Sequence, residues 1–575
     1  MTRGAETKTR TAKRFVGRVT LVLVFFSMVA AALAARAVHL QVLNKEFLNQ
    51  QADTRHLRRE RISAHRGTIT DRNGEPLAIS TPVDSVWANP KELAPAVDDV
   101  PQLARKLGLD PQLLMRRITR SMDKEFLYLK RHLSPEQAQQ VLALKLPGVN
   151  VQREYRRYYP AGEVTGHLVG FTDIDDEGQE GLELAFTHWL AGESGAKRVL
   201  KDRLGRSVEN VESIRPARHG KNLRTSIDLR IQYLAYRTLK AAIQSYNAES
   251  GSIVVLDVRT GEVLAIVNQP TYNPNDRSQF SAERYRNRAV TDIFEPGSSI
   301  KPLVIAAALE SGEFRPSSVI DTAPGYVTVG AKTIEDSRNL GRVSLTTILA
   351  RSSNVGVTKL AMSLQPDQLW QTMTEFGLGS LTSSAFPGES AGLLTHFSNW
   401  KPISQATLAY GYGVSVTALQ LAQAYSALGN GGRLYPVSLV AVESAVEGRK
   451  VIAPDTAVAV RRMLEEVVRP GGTGTKAAIA GYRVAGKTGT AWKFAAGGYS
   501  EDKYISIFAG LAPASDPQLA AVVVIDEPSG ELYYGSDVAA PVFADVMTES
   551  LRLLAVPPDA LPARDPGSIM QAMSR

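Results

Sequence analysis

The sequence predicts an α+β domain carried behind one apolar N-terminal helix and a non-catalytic segment, and three observations lead there. Val19 to Ala35 is uncharged and almost wholly apolar. From residue 222 to 556, helical runs are mixed with apolar strands that carry hairpin signals near both ends of the segment. Between these two parts, nothing in 60–215 has a nucleophile–base pattern. The apolar content of 44% and charged content of 22% are ordinary for globular protein. The chain has no cysteine, which excludes disulfides, thiol chemistry and thiolate metal sites and suits an envelope protein. The net charge of +8 is partly local, so no general nucleic-acid surface and no nucleic-acid partner are expected.

The elements follow in order. Residues 1–18 carry Arg3, Lys8, Arg10, Lys13, Arg14 and Arg18 against Glu6, and a basic flank before an apolar run predicts a cytoplasmic tail with the remainder exported. Ala32-Leu33-Ala34 fits a signal-peptidase site, which would release a soluble product. The apolar run nevertheless approaches spanning length, helped by Ala37-Val38 and Leu40, so an uncleaved anchor over 19–40 is the reading adopted. Residues 41–60 read as a juxtamembrane linker. The basic stretch of Arg55, Arg58, Arg59, Arg61 and Arg66 reads as a solvated face or a lipid-headgroup contact. Residues 61–215 form the non-catalytic domain. It opens with a hairpin that turns at Asn73-Gly74 and continues with small helices from about 90 to 145. Tyr155 to Tyr159 is basic and aromatic, Pro160 ends it, and Gly178 to Glu183 leads into a helix.

Beyond Arg215-Pro216 the character changes. Ile227 to Ser245 is an amphipathic helix, and Gly251–Val258 and Gly261–Val267 are apolar strands of a hairpin. Helices are predicted at about 344–376 and 404–428, and strands at Tyr482–Thr490, Ser506–Ala512 and Leu519–Asp526. The sheet is expected to combine strands from both ends of the segment. The tail 557–575, with its Pro-Pro, Leu-Pro and Asp-Pro pairs, is expected to be disordered.

The candidate chemistry begins at Glu295-Pro296-Gly297-Ser298-Ser299-Ile300-Lys301-Pro302. Pro302 suits the first turn of a helix, and Leu303 to Leu309 is apolar on every side, as in a helix sunk in a core. Ser298 then sits at the positive end of that helix, with Lys301 one turn later on the same side. A hydroxyl beside an amine held neutral by burial is a nucleophile–base pair for acyl transfer. Ser-x-x-Lys also occurs at Ser121, Ser194, Ser398 and Ser500, in charged or turn-like surroundings that read as surface. Acyl transfer needs in addition a proton relay, a cation for an anionic substrate end and an oxyanion hole. Ser352-Ser353-Asn354 lies among small residues between two apolar helical runs and offers a hydroxyl and an amide. Helix capping is the competing explanation, and Ser-x-Asn recurs at Ser245 and Ser337. Lys487-Thr488-Gly489-Thr490 sits on a strand, where Gly489 would let a substrate backbone approach closely.

In this order and at these wide spacings, Ser298-x-x-Lys301, Ser352-x-Asn354 and Lys487-Thr488-Gly489 resemble the three motifs of the penicillin-binding proteins and serine β-lactamases. The hairpin Arg66 to Gly74 and the stretch Gly178 to Glu183 are similar to the pedestal signature of class B, so the likeness runs from the anchor to about residue 555. Within class B the chain looks most like the cell-division type, from Leu256-Asp257 through Asn275 and from Tyr410-Gly411-Tyr412-Gly413-Val414. The elongation type remains the alternative. The resemblance implies an α+β transpeptidase domain on a pedestal of dimerisation type. It implies that Ser298 attacks the penultimate D-alanine carbonyl of a stem pentapeptide, that neutral Lys301 takes its proton, and that Ser352 relays it to the departing D-alanine. Asn354 would hold the acyl side chain. Lys487, Thr488 and Thr490 would bind the terminal carboxylate, with Lys487 keeping Lys301 neutral, and the N–H groups of Ser298 and Thr490 would form the oxyanion hole. Tyr410, Tyr533 and Tyr534 would line the cleft, core packing being the other account of each. No metal or organic cofactor is implied.

The implied partners are peptidoglycan stem peptides, β-lactams, a membrane-embedded septal glycosyltransferase and other divisome proteins, with docking expected around Arg72 and Glu183. The implied place is the inner membrane, with the catalytic domain periplasmic. The lack of C-terminal repeat modules favours a two-membrane bacterium. A hydrolytic β-lactamase shares the motifs but lacks the anchor and pedestal, and no Glu-x-x-Leu-Asn stretch follows the Ser-x-Asn motif here. A bifunctional enzyme would need a glycosyltransferase domain ahead of residue 222. A β-lactam sensor or a scaffold with a fossil site is the reading from outside enzymology, and intact Ser298, Lys301 and Lys487 speak against the fossil.

Overall fold

The computed structural model describes residues 5–40, 57–201, 207–276, 278, 281–444, 446–495 and 498–560. The first residues of the expected cytoplasmic tail, the expected linker up to residue 56, and the expected C-terminal tail from residue 561 lie outside them. Helix α1 (Ala5–Val38) runs through the basic flank and the apolar segment without a break. Its part Val16–Val38 is 23 residues long and wholly exposed, long and apolar enough to cross a membrane.

The chain divides into two compact units, and the division cuts across 61–215. One unit holds 1–64, 82–154 and 193–219; the other holds 65–81, 155–192 and everything from 220. In the first, strand β1 (Leu57–Ile62) pairs antiparallel with β6 (Gly195–Lys201), and β6 pairs with β7 (Ser207–Arg215). No strand stands out in the sequence at 195–215, because a run such as Gly-Ala-Lys-Arg-Val-Leu-Lys carries too much charge. The small helices include α2 (Val100–Leu107), α3 (Pro111–Thr119) and α4 (Pro135–Leu142). They bury Leu103, Leu107, Leu114, Ile118 and Val141 against Val86 and against Leu129 and Leu133 of β4 (Leu127–Leu133).

In the second unit, β2 (Ile69–Thr70) turns at Asn73-Gly74 and pairs back on Pro76 and Ala78, while β8 (Leu223–Arg224) runs parallel beside β2. Glu183 lies under this hairpin with its side chain 0% exposed, between the guanidinium groups of Arg66 at 2.6 Å and Arg157 at 2.5 Å. Arg66 also donates to the Glu183 carbonyl at 2.6 Å. The expectation that Glu183 belongs to a docking surface is therefore corrected: a carboxylate enclosed by two buried arginines has no surface to offer.

The rest of the second unit is built on a five-stranded antiparallel sheet. Its strands are β9 (Ser250–Asp257), β10 (Val263–Gln269), β15 (Ala485–Ala495), β16 (Gly498–Ala512) and β17 (Leu519–Asp526), in the order β10-β9-β17-β16-β15. Strands from both ends of the segment thus meet, Val254 opposite Val522 and Thr490 opposite Ser506. Alternation along β9 explains the layers, since successive side chains point to opposite faces. Ile253 and Val255 pack with α5 (Leu229–Ser245) and the C-terminal helix α13 (Ala539–Leu553) in one core. Val254 and Leu256 face a larger core with α6 (Lys301–Glu310) and α11 (Ala418–Gly429). Full burial of each such side chain stabilises by about 1.5–3 kcal/mol, so both faces hold the sheet in place.

The C-terminal residues that are described are ordered, against the expectation for 557–560. The Asp559 carboxylate accepts from the Arg483 N–H at 2.7 Å and from the Ser515 hydroxyl at 2.6 Å, and Ala560 donates to the Gly481 carbonyl at 3.0 Å. Proline-rich composition did not reveal that one carboxylate would pin this stretch.

Candidate active site

Gly297–Ile300 forms one tight 3-10 turn that feeds directly into α6. Pro302 opens that helix, and Leu303 to Ala308 are buried without exception. The turn is held from three sides by close contact. Gly411 lies so near that a Cβ there would meet the Gly297 carbonyl oxygen at 2.1 Å. A Cβ on Gly489 would meet the Pro296 carbonyl oxygen at 2.8 Å and Ser299 Cβ at 3.4 Å. Gly489 thus admits the chain's own nucleophile turn, where the sequence reading assigned its bareness to an approaching substrate. From below, the buried Tyr425 hydroxyl donates to the Ser299 carbonyl at 2.8 Å. Ser298 itself remains half-exposed and lines an open cleft of about 550 Å³.

Lys301 lies behind Ser298 with its side chain fully buried. Its Nζ donates to the Ser352 carbonyl at 2.6 Å and to Asn354 Oδ1 at 2.7 Å, and it stands 3.2 Å from Ser352 Oγ. On the far side of Ser352, the equally buried Lys487 donates to Ser352 Oγ at 3.0 Å and to the Thr488 carbonyl at 3.0 Å. One hydroxyl therefore bridges two lysines from elements far apart in sequence. Burial is the first cause that holds Lys301 well below the usual lysine range, the Lys487 charge the second, while Asp336 pulls the other way. Burial alone brings Lys487 down to about 7. Of the two, Lys301 is the one lowered by its neighbour's charge as well as by burial.

Ser352 adopts a left-handed backbone, φ 57°, between α7 (Leu345–Ala350) and α8 (Asn354–Ser363). Non-glycine residues enter that region rarely, and here the bend aims both the carbonyl and the hydroxyl of one residue at Lys301. The capping explanation applies to its neighbour: Ser353 accepts from the Gly356 N–H at 2.8 Å and caps α8. Asp336, which sequence reasoning missed, completes the arrangement. It accepts from the N–H groups of Asn354 at 2.6 Å and Val355 at 3.0 Å and from the Ser353 hydroxyl at 2.5 Å. No local signal marks it, because the cap is delivered from a separate loop after the strand Lys332–Glu335.

Among the described residues β15 is an edge strand, so the outward backbone groups beside Lys487 to Thr490 have no sheet partner there and face the Ser298 turn. Thr488 and Thr490 line the cleft with Asp336, Arg351, Tyr534 and Thr473. Thr488 Oγ1 lies 3.1 Å from Thr473 Oγ1, and Thr490 Oγ1 accepts from the Gly535 N–H at 3.0 Å. The three tyrosines are separated by the structure. Tyr534 lines the cleft, Tyr533 lies in a stack between Tyr534 and Tyr504, and Tyr410 is buried in the larger core. Tyr410 packs in the core, while Tyr533 stays partly exposed and its hydroxyl donates to that of Tyr534 at 3.1 Å; aromatic side chains next to a glycine-rich turn read the same way whichever side they face. Among the described residues, no group of three or more acidic or imidazole side chains is placed to hold a metal ion.

A buried amine between a serine at a helix start, a Ser-x-Asn corner and an edge-strand lysine defines a class of acyl-transfer proteins, and comparison bears on it directly. Residues 251–548 match the penicillin binding protein transpeptidase domain, and residues 61–225 match the penicillin-binding protein dimerisation domain. The chain belongs to the penicillin-binding protein transpeptidases, class B. Its similar relatives include the Escherichia coli (strain K12) peptidoglycan D,D-transpeptidase FtsI, 44% identical over 93% of this chain and 91% of that one. A Pseudomonas aeruginosa protein named "Probable peptidoglycan D,D-transpeptidase PbpC" is 42% identical over 95% and 96%. Among solved structures, the transpeptidase domain of penicillin-binding protein 3 from Burkholderia pseudomallei matches at 40% identity with a TM-score of 0.55, over 59% of this chain and 98% of that one.

Proposed function

We propose that the chain is the division-type peptidoglycan D,D-transpeptidase of its cell, anchored by α1 in the inner membrane with its catalytic domain in the periplasm. We assign 61–215 as its pedestal and 222–556 as its transpeptidase domain. The observation that carries the chemistry is the Lys301 amine. A neutral amine has two N–H groups, and the Ser352 carbonyl and Asn354 Oδ1 take both, so its lone pair is left to exchange protons with the Ser352 hydroxyl at 3.2 Å and to take the Ser298 proton. Ser298 Oγ then attacks the penultimate carbonyl of a stem peptide, and the oxygen that becomes negative is held by the N–H groups of Ser298 and Thr490. As the C–N bond breaks, the proton passes from Lys301 through Ser352 Oγ to the departing D-alanine nitrogen. An amine of a second stem peptide attacks the resulting ester, forms the cross-link and leaves Ser298 with its proton restored.

The substrate is read as an added strand on the free edge of β15. Its carboxylate meets Lys487 and Thr488, its scissile carbonyl lies at Thr490, and its upstream residues continue toward Trp492. It therefore runs antiparallel to β15. β-Lactams enter by the same attack and remain bound. Among the described residues Asp336 is the carboxylate that lines the cleft, and the three hydrogen bonds it accepts from Ser353, Asn354 and Val355 make it a weak base toward a water. The likeness to FtsI relatives supports the division role over the elongation one and suggests docking to a septal glycosyltransferase.

The test is to label membranes with a fluorescent penicillin and locate the modified serine by peptide mass. Adduct on Ser298 that persists for hours after drug removal, and loss of all labelling in Ser298→Ala, is the expected result. Adduct on another serine would overturn the site, and release within seconds would make the protein a β-lactamase. Depletion that yields filamentous cells supports the division role; rounded cells would indicate elongation.

A further inference from the structure

The face of β15 that lines the cleft does not end at Thr490. Thr488, Thr490, Trp492 and Phe494 follow at alternate positions, and Trp492 and Phe494 are 49% and 69% exposed. Side chains at that spacing share a face, and the register shift between Trp492 and Phe494 turns the end of the strand without burying either ring. Two tyrosines widen the surface. Tyr412 meets Tyr499 edge-on at 5.4 Å, Tyr499 meets Phe494 at 5.4 Å, and Tyr412 lies 6.3 Å from Trp492. The platform is braced: the Tyr499 hydroxyl donates to Glu295 Oε1 at 3.0 Å, and the backbone N–H of Trp492 donates to the Tyr412 hydroxyl at 3.3 Å. Exposed aromatic rings in such number, joined to a binding cleft, are unlike the scattered apolar residues of an ordinary surface.

We propose that Trp492, Phe494 and Tyr499 form a saccharide-binding platform that stacks on the glycan strand bearing the donor stem peptide. This rests on the transpeptidase reading and extends it from the peptide to the sugar. The direction of the added strand decides which end of the donor arrives here. With the carboxylate at Lys487 and the scissile carbonyl at Thr490, everything beyond Trp492 is the sugar-proximal end. The distance agrees. Four residues from Thr490 to Phe494 advance about 13 Å at ~3.3 Å each. A pentapeptide has three residues upstream of its penultimate one, about 10 Å when extended, and a short linker to the sugar makes up the remainder. A pyranose ring presents a face of polarised C–H groups, which pairs with the negative face of an aromatic ring, while its hydroxyls stay in water.

The experiment uses the full chain in detergent with Ser298→Ala, so that no turnover is needed, and titrates it with glycan strands stripped of peptide. Saturable change in tryptophan fluorescence, abolished in Trp492→Phe, is expected. Phe494→Ala should weaken the binding measured by calorimetry roughly tenfold, with Phe494→Tyr restoring it and melting temperatures unchanged. Absence of saturable binding, or equal binding by Phe494→Ala, overturns the platform. With Ser298 intact, the KM for a donor that carries its disaccharide should fall below that for the free pentapeptide, and Phe494→Ala should erase the difference. Equal KM values in the unaltered enzyme would likewise overturn it. Failure of the free pentapeptide to acylate Ser298 at all would instead sink the transpeptidase reading, which the glycan titration does not depend on.

Discussion

At the level of single residues, the site turns on which of two buried amines is charged. Lys301 must be neutral to accept the Ser298 proton. Its pKa lies well below the ordinary lysine value, so the base form predominates above that lowered pKa and is lost as pH falls through it. The acylation rate by a β-lactam should therefore rise with pH on the acid side and then level off. Lys487 works in the opposite sense. It titrates at about 7 and binds a carboxylate only as the cation, so substrate affinity should weaken above that pH. A bound carboxylate stabilises the cation and moves this limb upward. Stopped-flow acylation across pH, with rate and affinity separated, checks both limbs; an acylation rate that falls with rising pH on the acid side would contradict the role given to Lys301.

At the level of elements, α8 owes its start to a group it does not contain. Asp336 is an anion at a helix N-terminus, where free N–H groups and the helix dipole favour negative charge. It also fixes Ser353 and, through the Asn354 N–H, the side chain that meets Lys301. Asp336→Ala should lower stability by about 1–3 kcal/mol, the cost of buried N–H groups left without acceptors. It should also slow acylation tenfold or more, because a small misplacement at a reacting centre is expensive; thermal melting and penicillin labelling measure the two effects. The contrast with Ser298, Lys301, Ser352 and Lys487 shows what was legible in the sequence. Each of those residues sits in a short motif of one helical turn, one corner or one strand, weak alone and joined by the order and spacing that the family shares. Asp336 reaches the site across a loop, and Tyr534 differs from Tyr533 only in which way the chain turns. Both depend on tertiary contacts that no spacing encodes. The central strands were readable because both faces are apolar; the charged pair β6 and β7 was not.

At the level of the whole molecule, two features outside the cleft hold the unit that carries it. Glu183 between Arg66 and Arg157 is a buried triad, and removing its middle member leaves two charges without a partner. Glu183→Ala should cost about 3–5 kcal/mol, read as a large fall in melting temperature, whereas a docking residue would leave melting unchanged. The other feature is the closure of the sheet. β9 gains β10 within a few residues, but its second neighbour, β17, begins only at Leu519. While the chain is being made, β9 therefore waits with a bare edge and two apolar faces, the condition most prone to mispairing. The nucleophile turn is already present at that stage, yet Lys487 and the strand that bears it are not. A nascent chain thus carries the serine through the whole stretch from Ser298 to Lys487 without the means to use it, and reactivity appears only once the last strands have docked. Penicillin labelling of stalled chains should switch on between the emergence of β15 and that of β17, which makes the drug a reporter of completed folding.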